Sequence, residues 1–417
     1  MNSASYGEFT VALNEHFANR RAPLEASLEV TRRCPLVCQH CYNNLPVGDI
    51  AARNQELTKE EYFVLLDELT AMGVMWLLFT GGEIFARKDF LEIYSYANKK
   101  GFLITLFTNG ILINESVVDY LQQFPPFGIE ITLYGRTRET YERLTQLPGS
   151  YERCMRGIRL LLDRGLPLKL KTVATKVNWH EVMAMRDFAE QELGVEFKFD
   201  AMINPRIDCS SAPLNVRLSP EQAVALELQM PNVAAEHRGA LAREIGSAAG
   251  PRKSLYSCGG GARSFAIDPY GRMSICVLSH QDTYDIRSGS VRQGWDQFLL
   301  KVRQRQRRLI SKCTSCRIRS VCGMCPANGE LENGDAESPV EYLCEVAHLR
   351  AMVLGFEVPA HGSCEFCAGS KSYERLCRSA ERIASREINS GECTSNEVLP
   401  ILNNPANTGC GGCGTFH

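Results

Sequence analysis

Residues 24–30, Leu-Glu-Ala-Ser-Leu-Glu-Val, alternate apolar and polar positions. That two-residue period predicts a half-buried strand. Residues 74–79 form a continuous apolar run, which suits a strand covered on both faces of a parallel sheet. Further strands are predicted over 102–107, 128–133, 168–173 and 195–199. Helices are predicted near 89–100 and over 115–123, 151–164 and 179–193. Thr58-Lys59-Glu60-Glu61 reads as a capping box that opens another. Strands and helices in alternation build βαβ units on a parallel sheet. About six such units are visible, fewer than the eight of a closed barrel. The expected fold class is α/β, a partial (β/α)6 TIM-like barrel with a C-terminal cysteine-rich α+β auxiliary-cluster domain. Cys34, Gly81, Gly82, Glu83, Asn109 and Gly110 each follow a predicted strand, where parallel sheets place their sites.

The pattern divides the chain. Residues 1–23 are a lead-in, and 24–220 hold the barrel. Residues 205–220 resemble a linker, and Ser219-Pro220-Glu221-Gln222 starts a helix with Ser219 as its cap. Residues 221–256 are a helical connection. From 257 to 357 the chain turns to cysteines, glycines and short strands, with a hairpin before Cys276. Residues 358–417 form a cysteine-rich extension of unassigned role, with a helix over 373–388.

Composition adds little until the cysteines are counted. The 417 residues are 44% hydrophobic and 23% charged, with a formal net charge of -2, which gives no footing for general nucleic-acid or anionic-membrane binding. Residues 1–21 lack an apolar signal core, and no apolar stretch is long enough to span a bilayer. The cytosol is the expected compartment. There the 18 cysteines do not make a disulfide framework, so their clustering points to metal, for which thiolates are soft ligands.

Cys34-Pro-Leu-Val-Cys38-Gln-His-Cys41-Tyr42 has the spacing C-x3-C-x2-C. A [4Fe–4S] cube normally takes four thiolates, so three leave one iron open. The alternative is a zinc site with His40 as fourth ligand. The spacing, the aromatic after it and its place behind the first strand resemble the radical SAM superfamily. That resemblance implies that S-adenosylmethionine (SAM) binds the open iron and yields a 5′-deoxyadenosyl radical. Gly81-Gly82-Glu83 resembles the family's GGE motif, and Thr108-Asn109-Gly110 its TNG element, so Gly81, Gly82, Glu83 and Asn109 are the expected cofactor contacts. Thr132-Leu-Tyr-Gly135 departs from the usual Ser-Leu-Asp-Gly turn, and no ribose contact is assigned there.

Cys258, Gly271-x4-Cys276, Cys313-x2-Cys316-x5-Cys322-x2-Cys325 and Cys344 resemble the SPASM extension, which carries two auxiliary iron–sulfur clusters. The resemblance implies one cluster on Cys313, Cys316, Cys322 and Cys344. The other would sit on Cys258, Cys276 and Cys325, one ligand short. Paired zinc knuckles are the alternative. Val277 stands where sulfatase-maturing relatives have an aspartate.

The run Lys301 to Arg308 reads as a solvated helix face. Cys154 and Cys209 read as plain thiols, and His180, His237 and His348 as ordinary helix or surface residues. Cys364-x2-Cys367, Cys377, Cys393, Cys410 and Cys413 leave three readings open: a further metal site, a redox pair or a substrate-like tail.

The expected activity is a radical SAM modification or cross-linking of a ribosomally synthesised peptide, by analogy with PqqE-like and mycofactocin-maturase-like proteins. Two alternatives are an enzyme of haem-type cofactor biosynthesis and a non-catalytic iron–sulfur or zinc protein. Expected partners are a peptide or small-molecule substrate, a reductant such as ferredoxin or flavodoxin and, given the short N-terminus, a separate peptide-recognition protein.

Overall fold

The alternating segment forms β1 (Glu25–Glu29), with Ala26 and Leu28 buried in the main core. The structure, a computed structural model, describes residues 6–17, 20–246 and 253–385. From β1 the parallel order runs outward through β2 (Trp76–Thr80), β3 (Leu103–Thr108), β4 (Gly128–Thr132), β5 (Leu168–Val173) and β6 (Phe197–Asp200). Helices α1 (Lys59–Met72), α2 (Phe90–Lys99), α3 (Glu115–Gln123) and α4 (Ser150–Asp163) return between these strands. Leu66 and Leu69 of α1, Ile93 of α2, Val118 and Leu121 of α3, and Ile158 and Leu161 of α4 share one core with Leu77, Leu106, Ile131 and Leu170 of the strands. Fully burying such a side chain contributes roughly 1.5–3 kcal/mol. The expected capping box is formed, with the Thr58 hydroxyl accepting from the Glu61 N–H and the Glu61 carboxylate from the Thr58 N–H.

The sheet also grows on the other edge of β1. There β7 (Ser264–Ile267) pairs in parallel, followed by antiparallel β8 (Arg272–Ser274) and β9 (Tyr284–Asp285). The order of the nine-stranded sheet is therefore β9-β8-β7-β1-β2-β3-β4-β5-β6. Among the described residues its end strands do not pair, so the barrel is partial. The cysteine-rich region thus shares its sheet with the barrel.

Several local expectations need correction. The predicted helix at 179–193 is a 3-10 turn (Trp179–Glu181), a short helix α5 (Val182–Asp187) and a π turn (Phe188–Glu192). The π turn leaves both Phe188 and Ala189 buried. Short helices over Ile50–Gln55 and Arg138–Thr145 escaped the periodicity, although Asp49 and Thr137 cap them. The basic run is helical only over Leu300–Arg303. Beyond it Gln306 bridges Ser254, while Arg305 pairs with Asp282 and Arg308 with Glu337. These carboxylates, more than helix propensity, set its path.

A second core joins α6 (Pro220–Leu228), α7 (Pro231–Ile245), α8 (Glu341–Val353) and α9 (Tyr373–Ala384), through Val224, Leu241, Leu349 and Leu376. It holds the C-terminal segment against the cysteine-rich region. No helix among the described residues is long and apolar enough to cross a membrane.

Candidate cofactor and metal sites

Cys34, Cys38 and Cys41 lie on the loop that leaves β1. Cys34 and Cys38 are buried and Cys41 is half-buried. Several groups fix this loop. Glu29, at the end of β1, accepts from Asn43 Nδ2 at 2.6 Å and from the Tyr42 hydroxyl at 3.1 Å. Arg206 donates to the Cys41 carbonyl at 3.2 Å and the Asn44 carbonyl at 2.8 Å. The stretch read as a linker is therefore a clamp on the cysteine loop.

Beneath the loop the Arg33 guanidinium meets the Glu56 carboxylate in a fork, with both contacts at 2.9 Å. Thr31 Oγ1 donates to the same carboxylate at 2.5 Å. The Arg33 and Glu56 side chains are under a tenth exposed. Removing one charge of a buried pair strands the other, which costs about 3–5 kcal/mol. Glu56→Gln is expected to lower the urea midpoint accordingly and to loosen the Cys34 backbone. An unchanged midpoint would show that the pair does not hold this loop.

The chemistry of the three cysteines suits a metal cluster. Burial pushes each thiol up, and the neighbouring thiolates raise Cys34 and Cys38 further. Three clustered thiolates, two of them buried, are tolerable only beside a compensating cation, since an unpaired buried charge is costly. Donors are already aimed at the sulfurs. Cys34 Sγ accepts from the Leu36 N–H and from Asn109 Nδ2, each at 3.4 Å. The Tyr134 hydroxyl bonds Cys38. Tyr134 lies in the turn to which the sequence assigned no role. Its position beside Cys38 depends on a strand-end juxtaposition that spacing does not reveal. The His40 ring lies tilted at 49° to that of Tyr134, with centroids 5.4 Å apart, and burial lowers its pKa to about 4.

Gly81, Gly82 and Glu83 follow β2 and pack directly on the chain leading into Cys34. The Gly82 N–H donates to the Thr31 carbonyl at 2.7 Å and the Glu83 N–H to the Arg33 carbonyl at 3.0 Å. Glu83 is fully buried. Its carboxylate accepts from Thr108 Oγ1 at 2.8 and 2.9 Å, the Asn109 N–H at 2.8 Å and the Phe85 N–H at 3.2 Å. Those contacts tie the turn after β2 to the turn after β3. Burial nevertheless raises its pKa to about 6. Asn109 is where the two turns meet Cys34. Asn109→Ala removes an N–H···S bond of the kind that tunes a metal-bound thiolate, with an expected loss of about 10–100-fold in cluster affinity. Iron retention during anaerobic chelator challenge measures this, and wild-type retention would count against the contact.

Cys313, Cys316, Cys322 and Cys344 line one cavity of about 90 Å³, so the structure brings that predicted set together. Cys258, Cys276 and Cys325 form a second group. Burial raises Cys276 to about 11, with Cys325 and Cys258 adding to the effect. Burial likewise raises Cys325, followed by Cys258 and Glu330. Glu330 is 1% exposed, its Oε2 has no hydrogen-bond partner, and burial pushes its pKa to about 7. It lies close enough to Cys325 to add to the rise of that thiol. Sequence reasoning passed over it.

His348 is not the ordinary helix residue expected. It is fully buried on α8, one turn beyond Cys344, and faces Cys364 and Cys367. Cys154 and Cys209 are buried. Cys393, Cys410, Cys413 and the glycine-rich tail lie outside the described residues.

Residues 28–189 match the Radical SAM superfamily. Over 340 residues the chain is 24% identical to the AdoMet-dependent heme synthase of Methanosarcina barkeri, covering 76% of this chain and 95% of that protein. Over 168 residues it is 30% identical to the PqqA peptide cyclase of Granulibacter bethesdensis, covering 40% of this chain and 44% of that one. In fold it is similar to Streptococcus suis SuiB bound to S-adenosylmethionine, with a TM-score of 0.61, 17% identity and 82% of each chain covered.

Proposed function

Because residues 28–189 of this chain belong to the radical SAM superfamily, we propose that the protein takes a hydrogen atom from a ribosomally made peptide, at a site organised by Cys34, Cys38 and Cys41. The superfamily uses a [4Fe–4S] cluster with SAM, which when bound supplies a 5′-deoxyadenosyl radical. Cys34, Cys38 and Cys41 would hold the cluster, and the turn of Gly81, Gly82 and Glu83 would line the cofactor's side of it. Asn109 and Tyr134 would steady the thiolates. Cys313, Cys316, Cys322 and Cys344 would hold one auxiliary cluster, and Cys258, Cys276 and Cys325 the other. In this reading residues 24–220 are the catalytic barrel and 257–357 the auxiliary region. A ferredoxin or flavodoxin would supply electrons.

The observation that carries the reading is the packing of Gly81 and Gly82 on the backbone entering Cys34, together with the hydrogen bonds of Glu83 to Thr108 and Asn109. These contacts join the three sequence motifs at the strand ends. For the substrate, the similarity to PqqA peptide cyclases supports a peptide.

One observation favours a second reading, a haem-type tetrapyrrole. The similarity to the AdoMet-dependent heme synthase extends over 340 residues, well past the barrel. The two readings separate by experiment. Reduced protein and SAM would be incubated with candidate precursor peptides, and separately with a propionate-bearing iron tetrapyrrole. The peptide reading predicts peptide products lighter by hydrogen, with deuterium from labelled peptide appearing in 5′-deoxyadenosine. Conversion of the tetrapyrrole with every peptide unchanged would replace it.

A further inference from the structure

Four side chains that neither cluster motif uses come together at the C-terminal edge of the auxiliary region. They are His348 on α8, and His361, Cys364 and Cys367 on the segment that follows it. One ligand atom of each lies within 4.8 Å of all the others, and all four residues are buried. We propose that His348, His361, Cys364 and Cys367 form a Cys2His2 site for one zinc ion, which fastens the C-terminal segment over the auxiliary-cluster cavity.

The distances fit a single tetrahedral ion. Zinc–sulfur bonds of about 2.3 Å and zinc–nitrogen bonds of about 2.0–2.1 Å, set at tetrahedral angles, put sulfur and nitrogen about 3.6 Å apart. His348 Nε2 stands 3.5 Å from Cys364 Sγ and 3.6 Å from Cys367 Sγ. A cube distributes its terminal ligands over separate iron corners, so it needs a wider spread than these four atoms have.

The orientation of the imidazoles points the same way. His348 Nδ1 lies 2.7 Å from the Cys344 carbonyl, which accepts its proton and leaves the Nε2 lone pair facing the two cysteines. His361 Nδ1 lies 2.8 Å from the Pro359 carbonyl, and the His361 side chain also hydrogen-bonds Cys316 and Cys364. With that carbonyl taking the Nδ1 proton, Nε2 is the free ligand atom. A histidine ligand commonly donates its other ring N–H to a backbone carbonyl in this way, which fixes tautomer and ring plane. The rings are nearly parallel, at 21° with centroids 5.7 Å apart.

The position gives the site a consequence. Residues 361–367 lie in the stretch between α8 and α9, and His348 and His361 line the same cavity as Cys313, Cys316, Cys322 and Cys344. An ion here would wall that cavity with a rigid segment. A structural zinc with four protein ligands contributes folding energy directly and offers no open position for chemistry.

The test uses the full chain, purified anaerobically from zinc- and iron-supplemented cells, with metals measured by mass spectrometry. About one zinc per chain is expected beside the iron. Its X-ray absorption should show two sulfurs near 2.3 Å and two nitrogens near 2.0–2.1 Å. Cys367→Ala and His361→Ala should each lose most of that zinc while keeping wild-type iron. Wild-type protein that holds iron but neither retains zinc nor takes up added zinc or cobalt would overturn the proposal. So would Cys367→Ala losing iron in step, because that would assign Cys367 to a cluster. The spectrum of unmutated protein decides even if the variants fold poorly. Zinc content reports this site, whereas deoxyadenosine yield reports the proposed activity, so the two can fail separately.

Discussion

Cys34→Ala should lose the iron of one cluster, about four atoms, and keep the iron of the auxiliary region. The expectation follows from where Cys34 stands. It is the first of the triad, and the one whose sulfur takes N–H donors from both its own loop and Asn109. Two remaining cysteines cannot satisfy three irons. Cys313, Cys316, Cys322 and Cys344 line a cavity to which none of Cys34, Cys38 and Cys41 contributes. Iron analysis combined with electron paramagnetic resonance of the reduced protein, with and without SAM, makes the comparison. The variant should retain auxiliary signals and lose the one that SAM perturbs. Full iron content and an unchanged SAM response in Cys34→Ala would remove Cys34 from the site.

Gly82→Ala should disable the same site without touching a ligand. A Cβ at Gly82 would meet the Arg32 carbonyl oxygen at 2.5 Å, the Arg33 carbonyl oxygen at 2.6 Å and the Arg32 carbonyl carbon at 2.7 Å. These are backbone atoms of the segment that delivers Cys34, and they cannot swing aside as a side chain tip can. Gly81 is tighter still: its φ is +142°, and a Cβ would stand 2.1 Å from the Thr31 oxygen. Ordinary overpacking costs about 1–3 kcal/mol, and a clash with fixed backbone belongs at or above the top of that range. The expected result is loss of SAM-cleaving activity, with a lowered thermal midpoint and poor retention of the first cluster. Gly48→Ala is the control, since a Cβ there has nothing within 4 Å. A Gly82→Ala protein as active and stable as the Gly48→Ala control would mean the turn is not pressed against the Cys34 segment.

The barrel was legible because its signals are local. The alternation at 24–30 and the apolar run at 74–79 read directly as strands, and Thr58 and Ser219 advertised their helices through capping boxes. Cysteine spacing drew attention to Cys34, Cys38 and Cys41 for a similar reason, because all three lie on one loop. The missed features depend on segments distant in the chain. Nothing in the local pattern of β7 says that Glu25 pairs with Ser264. Arg206 reaches back to Cys41 across 165 residues from a stretch that reads as a linker. Tyr134 meets Cys38 only because β4 ends beside the cysteine loop. His348 was passed over because its partners at 361–367 belong to another segment. Yet Cys344 and His348 are one helical turn apart, and a C-x2-C pair follows. That combination was the available clue.

Production of 5′-deoxyadenosine from SAM by the anaerobically reconstituted and reduced protein is the most direct test of the central claim. The account predicts that wild-type protein forms 5′-deoxyadenosine, and that Cys34→Ala, Cys38→Ala and Cys41→Ala each form none above the reductant-only background. Wild-type protein carrying full iron and forming no 5′-deoxyadenosine, or a triad variant forming as much as wild type, would contradict it.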